Sequence, residues 1–252
     1  MRWPALLAGL LATGLAGVAP ANPRPGVGTQ DQRQAVDVAA APWRSLGQVA
    51  TEQGARCTGA LIGPRSVLTA AHCVVHPQTA AVLEPRDIHF VPSTAEAGRR
   101  IAVTGMLVGP GFRILPGHRP APDMVADSDW AVLTLDEAEP EAAEELWLSL
   151  LPGLVPQMTE VALGGYQPDR GPGLVAHLGC YTLGYARAPR GQVMLRHSCS
   201  ATGGSSGGPL LVQRPDGDWM VAGVGSLASN NEAGGWAVPS LTIWRVLAEL
   251  QR

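Results

Sequence analysis

From Trp43 onward the chain is a series of short apolar runs broken again and again by glycine and proline. Helices of ordinary length cannot grow through such punctuation, whereas short strands joined by tight turns can. With 31 glycines and 22 prolines in 252 residues, the pattern predicts an all-β fold. Candidate strands fall at 46–51, 59–62, 66–69, 88–91, 101–108 and 130–135, and again at 159–164, 174–181, 192–195, 209–212, 219–224 and 235–238. Two sets of similar size predict two six-stranded antiparallel β-barrels packed together, assigned to 41–145 and 146–252. The stretch 136–156 between the sets is acidic and then apolar, and reads as a connector with a helical turn over 141–148. Leu241, Trp244, Leu247 and Leu250 recur at helical spacing after Ser240. They predict a C-terminal α-helix, capped by that serine and packed through that stripe.

The first 21 residues read as an export signal: Arg2, an apolar run over 5–18, and the small-x-small triplet Ala19-Pro20-Ala21. That run is shorter than the ~20 residues that span a bilayer, so release without stable membrane association is expected. The destination is the periplasm or the exterior. Residues 22–40, rich in Pro, Gly and Gln, read as a flexible lead-in or pro-segment.

Export places the cysteines in an oxidising compartment. Cys57, Cys73, Cys180 and Cys199 allow three pairings, and they form two sequence-local couples. Locality favours Cys57–Cys73 and Cys180–Cys199, each bridge contributing ~3 kcal/mol on a chain-entropy account. A zinc site of Cys57, His72 and Cys73 competes, but it lacks a C-x-x-C pair. The net charge of −3 and 15% charged residues offer no clustered basic surface, which argues against a nucleic-acid partner.

Two motifs carry chemistry. Gly204-Ser205-Ser206-Gly207-Gly208-Pro209 places a hydroxyl, Ser206, in a turn where glycines permit φ > 0 and the N–H groups of Gly204 and Ser206 can converge as an oxyanion hole. Thr69-Ala70-Ala71-His72-Cys73 supplies an imidazole at the end of an apolar run. A serine hydroxyl needs such a base, and the base needs a carboxylate to orient it. Asp129 fits better than Asp123, Asp127 or Asp136, because it sits directly before an apolar strand where it can be buried against the ring Nδ1–H. Gly204 to Gly208 also fits G-x-S-x-G, the elbow of α/β-hydrolases, but those place the base after the nucleophile and no histidine follows Ser206. The other histidines, His76, His89, His118, His177 and His197, read as surface or satisfied core residues, although His197 and Arg196 lie close enough in sequence to the Ser206 turn to shape a pocket there.

The run 57–62, the run 67–73, the run 129–133 and the run 204–210 resemble the trypsin/chymotrypsin-like serine protease family, nearer its bacterial glutamyl-endopeptidase-like branch. The resemblance extends over roughly residues 35 to 250. It implies two barrels with His72, Asp129 and Ser206 in the cleft between them, the Cys57–Cys73 bridge beside the histidine, and hydrolysis of polypeptide through an acyl-enzyme by a monomer without cofactor or metal. It also implies a substrate pocket from Ser200, Thr202, Gly225 and Ser226, with Ser226 supporting Asp129. The alternative is a catalytically silent binding protein on the same scaffold. Departures are informative. Cleavage-activated relatives carry Asp just before the nucleophile to bind a freed N-terminal ammonium, and Ser205 stands there in this chain. Ser200 is not the aspartate that selects Arg or Lys, and Gly225 stands where a glutamate-selecting histidine belongs. Thr202 replaces a pocket-framing cysteine.

Overall fold

A computed structural model describes residues 24–95, 99–137, 146–187, 192–250 and 252. The expected export signal and residues 141–145 of the expected helical turn lie outside them. A two-residue strand, Gln34–Ala35 (β1), precedes the first barrel. That barrel is built from Leu46–Thr51 (β2), Arg56–Gly63 (β3), Ser66–Thr69 (β4), Ile88–Pro92 (β5) and Ile101–Val108 (β6). After the hairpin Ile114–Leu115 (β7) and Arg119–Pro120 (β8), Ala131–Leu135 (β9) completes it. The closed order is β2-β3-β4-β9-β6-β5. Alternation drives closure: Ile88 and Phe90 of β5, and Ala131, Leu133 and Leu135 of β9, point inward and are buried.

The second barrel follows Ser149–Leu150 (β10) and comprises Glu160–Tyr166 (β11), Leu174–Arg187 (β12), Val193–His197 (β13), Pro209–Gln213 (β14), Trp219–Ala228 (β15) and Gly235–Pro239 (β16). It closes because β12 is long enough to change partners. It pairs with β11 up to Tyr181 and with β13 from Thr182, while β13 pairs in turn with β16. Every strand expected from sequence is present, several of them longer than expected. The two-residue strands were not foreseen, being too short to show a period.

One apolar core joins the barrels, running from Leu46, Phe90 and Trp130 to Leu174, Leu211 and Val221. The contact is close where Gly164 of β11 meets the Trp43 ring: a Cβ on Gly164 would lie 2.6 Å from Trp43 Cζ3.

Two expectations need correction. The C-terminal helix Ser240–Leu250 (α1) packs through Ile243, Val246 and Leu247, whereas Trp244 and Leu250 are exposed, so the packing stripe is shifted from the one expected. Ser240 lies within the helix and its Oγ donates to Leu151 O at 2.8 Å, tying α1 to the connector instead of capping it. Residues 24–35, part of the stretch expected as a flexible lead-in or pro-segment, lie on the second barrel: β1 pairs with β12, and the Arg33 side chain is buried among Asp31, Gln167, Asp169 and Thr202. No helix among the described residues is long and apolar enough to cross a membrane.

Overpacking a tight site of this kind costs about 1–3 kcal/mol. Gly164→Ala is therefore expected to lower unfolding free energy by that amount in urea titration, while Gly173→Ala, whose Cβ would meet nothing within 4 Å, stays within about 0.5 kcal/mol of wild type.

Candidate active site

The pairing of β4 with β9 brings the first two functional side chains together. Thr69 lies opposite Ala131, so the residues just after β4 and just before β9 leave the barrel side by side. His72 sits in the short 3-10 turn Ala71–Val74, and Asp129 immediately precedes Trp130 and β9. The Cys57–Cys73 disulfide joins that turn to β3. With both sulfurs in a disulfide, the grouping of Cys57, His72 and Cys73 has no thiolate to offer a metal.

Asp129 is 3% exposed and accepts three hydrogen bonds. The His72 backbone N–H donates to Oδ1 at 2.9 Å, and His72 Nδ1 donates to Oδ2 at 2.8 Å. Ser226 Oγ, on β15 of the second barrel, donates to Oδ2 at 2.5 Å. Burial alone would push the Asp129 carboxyl up, but the His72 charge and these hydrogen bonds outweigh it and hold the pKa below the carboxylate norm. Burial likewise opposes a proton on His72, yet the facing Asp129 charge and hydrogen bond win and raise its pKa above the ordinary 6.5. The ring is thereby fixed with Nδ1 protonated and Nε2 free to accept a proton.

Ser206 occupies the turn entering β14. Gly204 and Gly207 have φ of +93° and +78°, where a side chain would be strained and would also collide: a Cβ on Gly204 would lie 2.1 Å from Tyr166 O, and one on Gly207 2.2 Å from Thr69 Oγ1 and 2.7 Å from Ala70 N. Gly207 thus presses the turn against the strand end that carries His72. Thr58 of β3 bonds to the same turn twice, its N–H to Ser206 O at 2.9 Å and its Oγ1 to Gly204 O at 2.8 Å. Ser205 Oγ donates to Thr202 O at 2.6 Å, and Gly207 N–H donates to Gly225 O at 2.9 Å. None of these bonds uses the N–H of Gly204 or Ser206.

Two recesses flank the turn. A cavity of about 120 Å³ beside Ser206 is lined by Thr202, Gly225 and Ser226, as expected, and also by His197, Ala201 and Leu227. Ser200 does not line it: it is fully buried, with its N–H donated to His177 Nδ1 at 2.8 Å, so its assignment to the pocket is corrected. His197, read as surface, satisfied core or a residue shaping the pocket, is buried and forms part of the wall. Its Nδ1 accepts the Cys199 N–H, and burial, with His177 nearby, pushes its pKa down to about 4, so it remains neutral. Beyond His72 lies an apolar cleft of about 430 Å³, walled by Phe112, Ile114 and Met124 on one side and Met194, Leu227 and Trp236 on the other. His118, at the tip of the β7–β8 hairpin, stands edge-on to the His72 ring at 6.2 Å. Periodicity reveals neither Thr58 nor His118, because each acts through a fold-level contact.

A model of the trypsin-like peptidase domain matches residues 57–223, a span that includes His72, Asp129 and Ser206. The chain belongs to this family. Among solved structures, a Glu endopeptidase in complex with MPD is similar in fold, with a TM-score of 0.69 at 18% identity over 90% of this chain and 100% of that one. No curated protein matches. In this trypsin-like peptidase the Cys180–Cys199 bridge is formed as well, between β12 and the segment leading to the Ser206 turn.

Asp129→Asn removes the charge that raises the His72 pKa. The His72 titration midpoint, followed by ring proton NMR, is expected to fall below its wild-type value, toward or under 6.5. A midpoint that rises or stays put would contradict the electrostatic account.

Proposed function

We propose that the chain is an exported serine endopeptidase in which Ser206 is the nucleophile, His72 the general base and Asp129 its orienting carboxylate. The observation that carries this reading is the clamp on Asp129, which holds the His72 ring by Nδ1, together with the packing of Gly207 of the Ser206 turn against Thr69 and Ala70, just before His72. In the first step Ser206 Oγ attacks the peptide carbonyl carbon while His72 Nε2 takes its proton. Charge then builds on the carbonyl oxygen, which the N–H groups of Gly204 and Ser206 would receive, each such donor lowering the barrier by roughly 2.7–4 kcal/mol. The tetrahedral species collapses as His72 returns the proton to the leaving amine, giving an acyl-enzyme. Water, activated by the same imidazole, releases the acid.

The substrate strand has a place to dock. β14 pairs with β15 only as far as Val224, so from Ser226 to Ala228 one edge of β15 is open to an added antiparallel strand. A peptide laid there directs its scissile-bond side chain into the small cavity and its upstream side chains into the apolar cleft. The cleft is the larger of the two, at about 430 Å³ against about 120 Å³, so selectivity rests chiefly on apolar or aromatic residues upstream of the cut. With no charged side chain in its wall, the small cavity favours a small or neutral residue. The Arg/Lys-selecting and Glu-selecting groups missing from the sequence are consistent with this.

A serine-directed fluorophosphonate is expected to label the mature protein but not Ser206→Ala. A folded native protein that resists labelling would favour the silent binding scaffold instead. Only neutral His72 can accept a proton, and its pKa is raised above 6.5, so kcat/KM on a peptide substrate should climb with pH through a midpoint above 6.5 and be lost below it. In a peptide library, large apolar residues upstream of the cut should outweigh any preference at the cut itself.

A further inference from the structure

Two of the segments that contribute to the wall of the small cavity, 201–205 and 228–234, are fastened to the N-terminal residues 24–35. Gly26 O accepts the N–H of Ala201 at 2.9 Å and of Gly234 at 3.1 Å, and Gly26 N–H donates to Ser229 O at 2.8 Å. Gly26 is the residue this approach requires: its φ is +71°, and a Cβ would lie 2.1 Å from Ala201 O. One glycine thus joins the two segments.

Arg33 secures the same region through its side chain, which is fully buried. Nε and Nη2 donate to Asp31 at 2.8 and 2.7 Å, and Nη2 and Nη1 donate to Asp169 at 2.6 and 2.9 Å. Nη1 also reaches Gln167 Oε1 at 2.7 Å and Thr202 Oγ1 at 2.9 Å. Thr202 returns two bonds, from its N–H to Gln167 Oε1 at 2.7 Å and from Oγ1 to Asp169 Oδ1 at 2.6 Å. Its carbonyl accepts both the N–H and the Oγ of Ser205, the residue before Ser206. The path from guanidinium to nucleophile turn is therefore continuous: Arg33, Thr202, Ser205, Ser206. Hydrogen bonds from Arg33 hold the Asp31 carboxyl well below the carboxylate range and bring Asp169 to about 2, so the cluster stays ionised wherever the catalytic histidine works.

We propose that residues 24–35 are a built-in clip that shapes the substrate cavity and the nucleophile turn, with Arg33 as its positioning residue, so that no freed N-terminal ammonium is needed. The clip uses the backbone of Gly26 and the side chain of Arg33, both internal to the chain. Ser205, bonded to Thr202 O, stands where cleavage-activated relatives keep the aspartate that binds such an ammonium. The inference rests on Ser206 being the nucleophile.

The sequence provides a clean test, because all 18 basic residues are arginine and the α-amino group is the only primary amine. Acetylating the mature protein with an amine-reactive reagent is expected to leave the fluorophosphonate labelling rate within about twofold of untreated protein; loss of labelling on acetylation would overturn the proposal. Arg33→Met, assayed below its unfolding temperature, is expected to label roughly tenfold to a hundredfold more slowly. The His72 titration midpoint should be unchanged, since the clamp on Asp129 lies outside the clip. Arg33→Lys, which keeps the charge but loses the planar fork, should be intermediate, and it carries the test if the methionine variant does not fold. Native labelling rates in folded Arg33 variants would overturn the proposal, as would a mature N-terminus downstream of Arg33. A wild-type protein that fails to label at all would overturn the serine-peptidase reading and the clip with it, whereas failures confined to the acetylated or Arg33 forms bear on the clip alone.

Discussion

A carboxylate removed from water must be matched by donors or it will take a proton, and Asp129 is matched by groups from both halves of the molecule. Two donors come from His72, on a neighbouring turn of the first barrel, and the third comes from Ser226, on β15 of the second. The barrels therefore meet at a charge that neither could bury alone. This arrangement sets the orientation of the imidazole and its proton affinity.

Around that charge, small residues permit backbone to approach backbone. Gly164 admits the Trp43 ring, Gly165 faces Ser205, and Gly207 rests on Thr69 and Ala70. Thr58 then stitches β3 to the Ser206 turn by two hydrogen bonds. Close approach and hydrogen bonding act in sequence, the glycines removing the steric obstacle and the threonine fixing the register. Dispersion and burial across the shared core supply most of the adhesion, and these polar contacts make it specific.

Much of the fold was legible because strand alternation and turn residues are local signals. The six strands of each barrel followed from short apolar runs between Gly and Pro, and the approach of His72 to Asp129 was implied by their places at strand ends. What local patterns could not reveal were contacts made only after folding. Arg33 looked like one charge in a polar lead-in, yet its partners Gln167, Asp169 and Thr202 lie far along the chain. Ser200 sat at the sequence distance of a pocket residue but is buried with its N–H bonded to His177, while His197, whose place in sequence allowed a surface or a pocket role, lies in the wall. On α1, Ile243 rather than Trp244 faces the core, a shift of one position that helical spacing alone resolves poorly.

The placement of Ser226 has a mechanical side. Its hydroxyl reaches Asp129 from across the junction, as Thr58 reaches the Ser206 turn from the other side, so the carboxylate keeps its full set of donors only while the two barrels stay seated against each other.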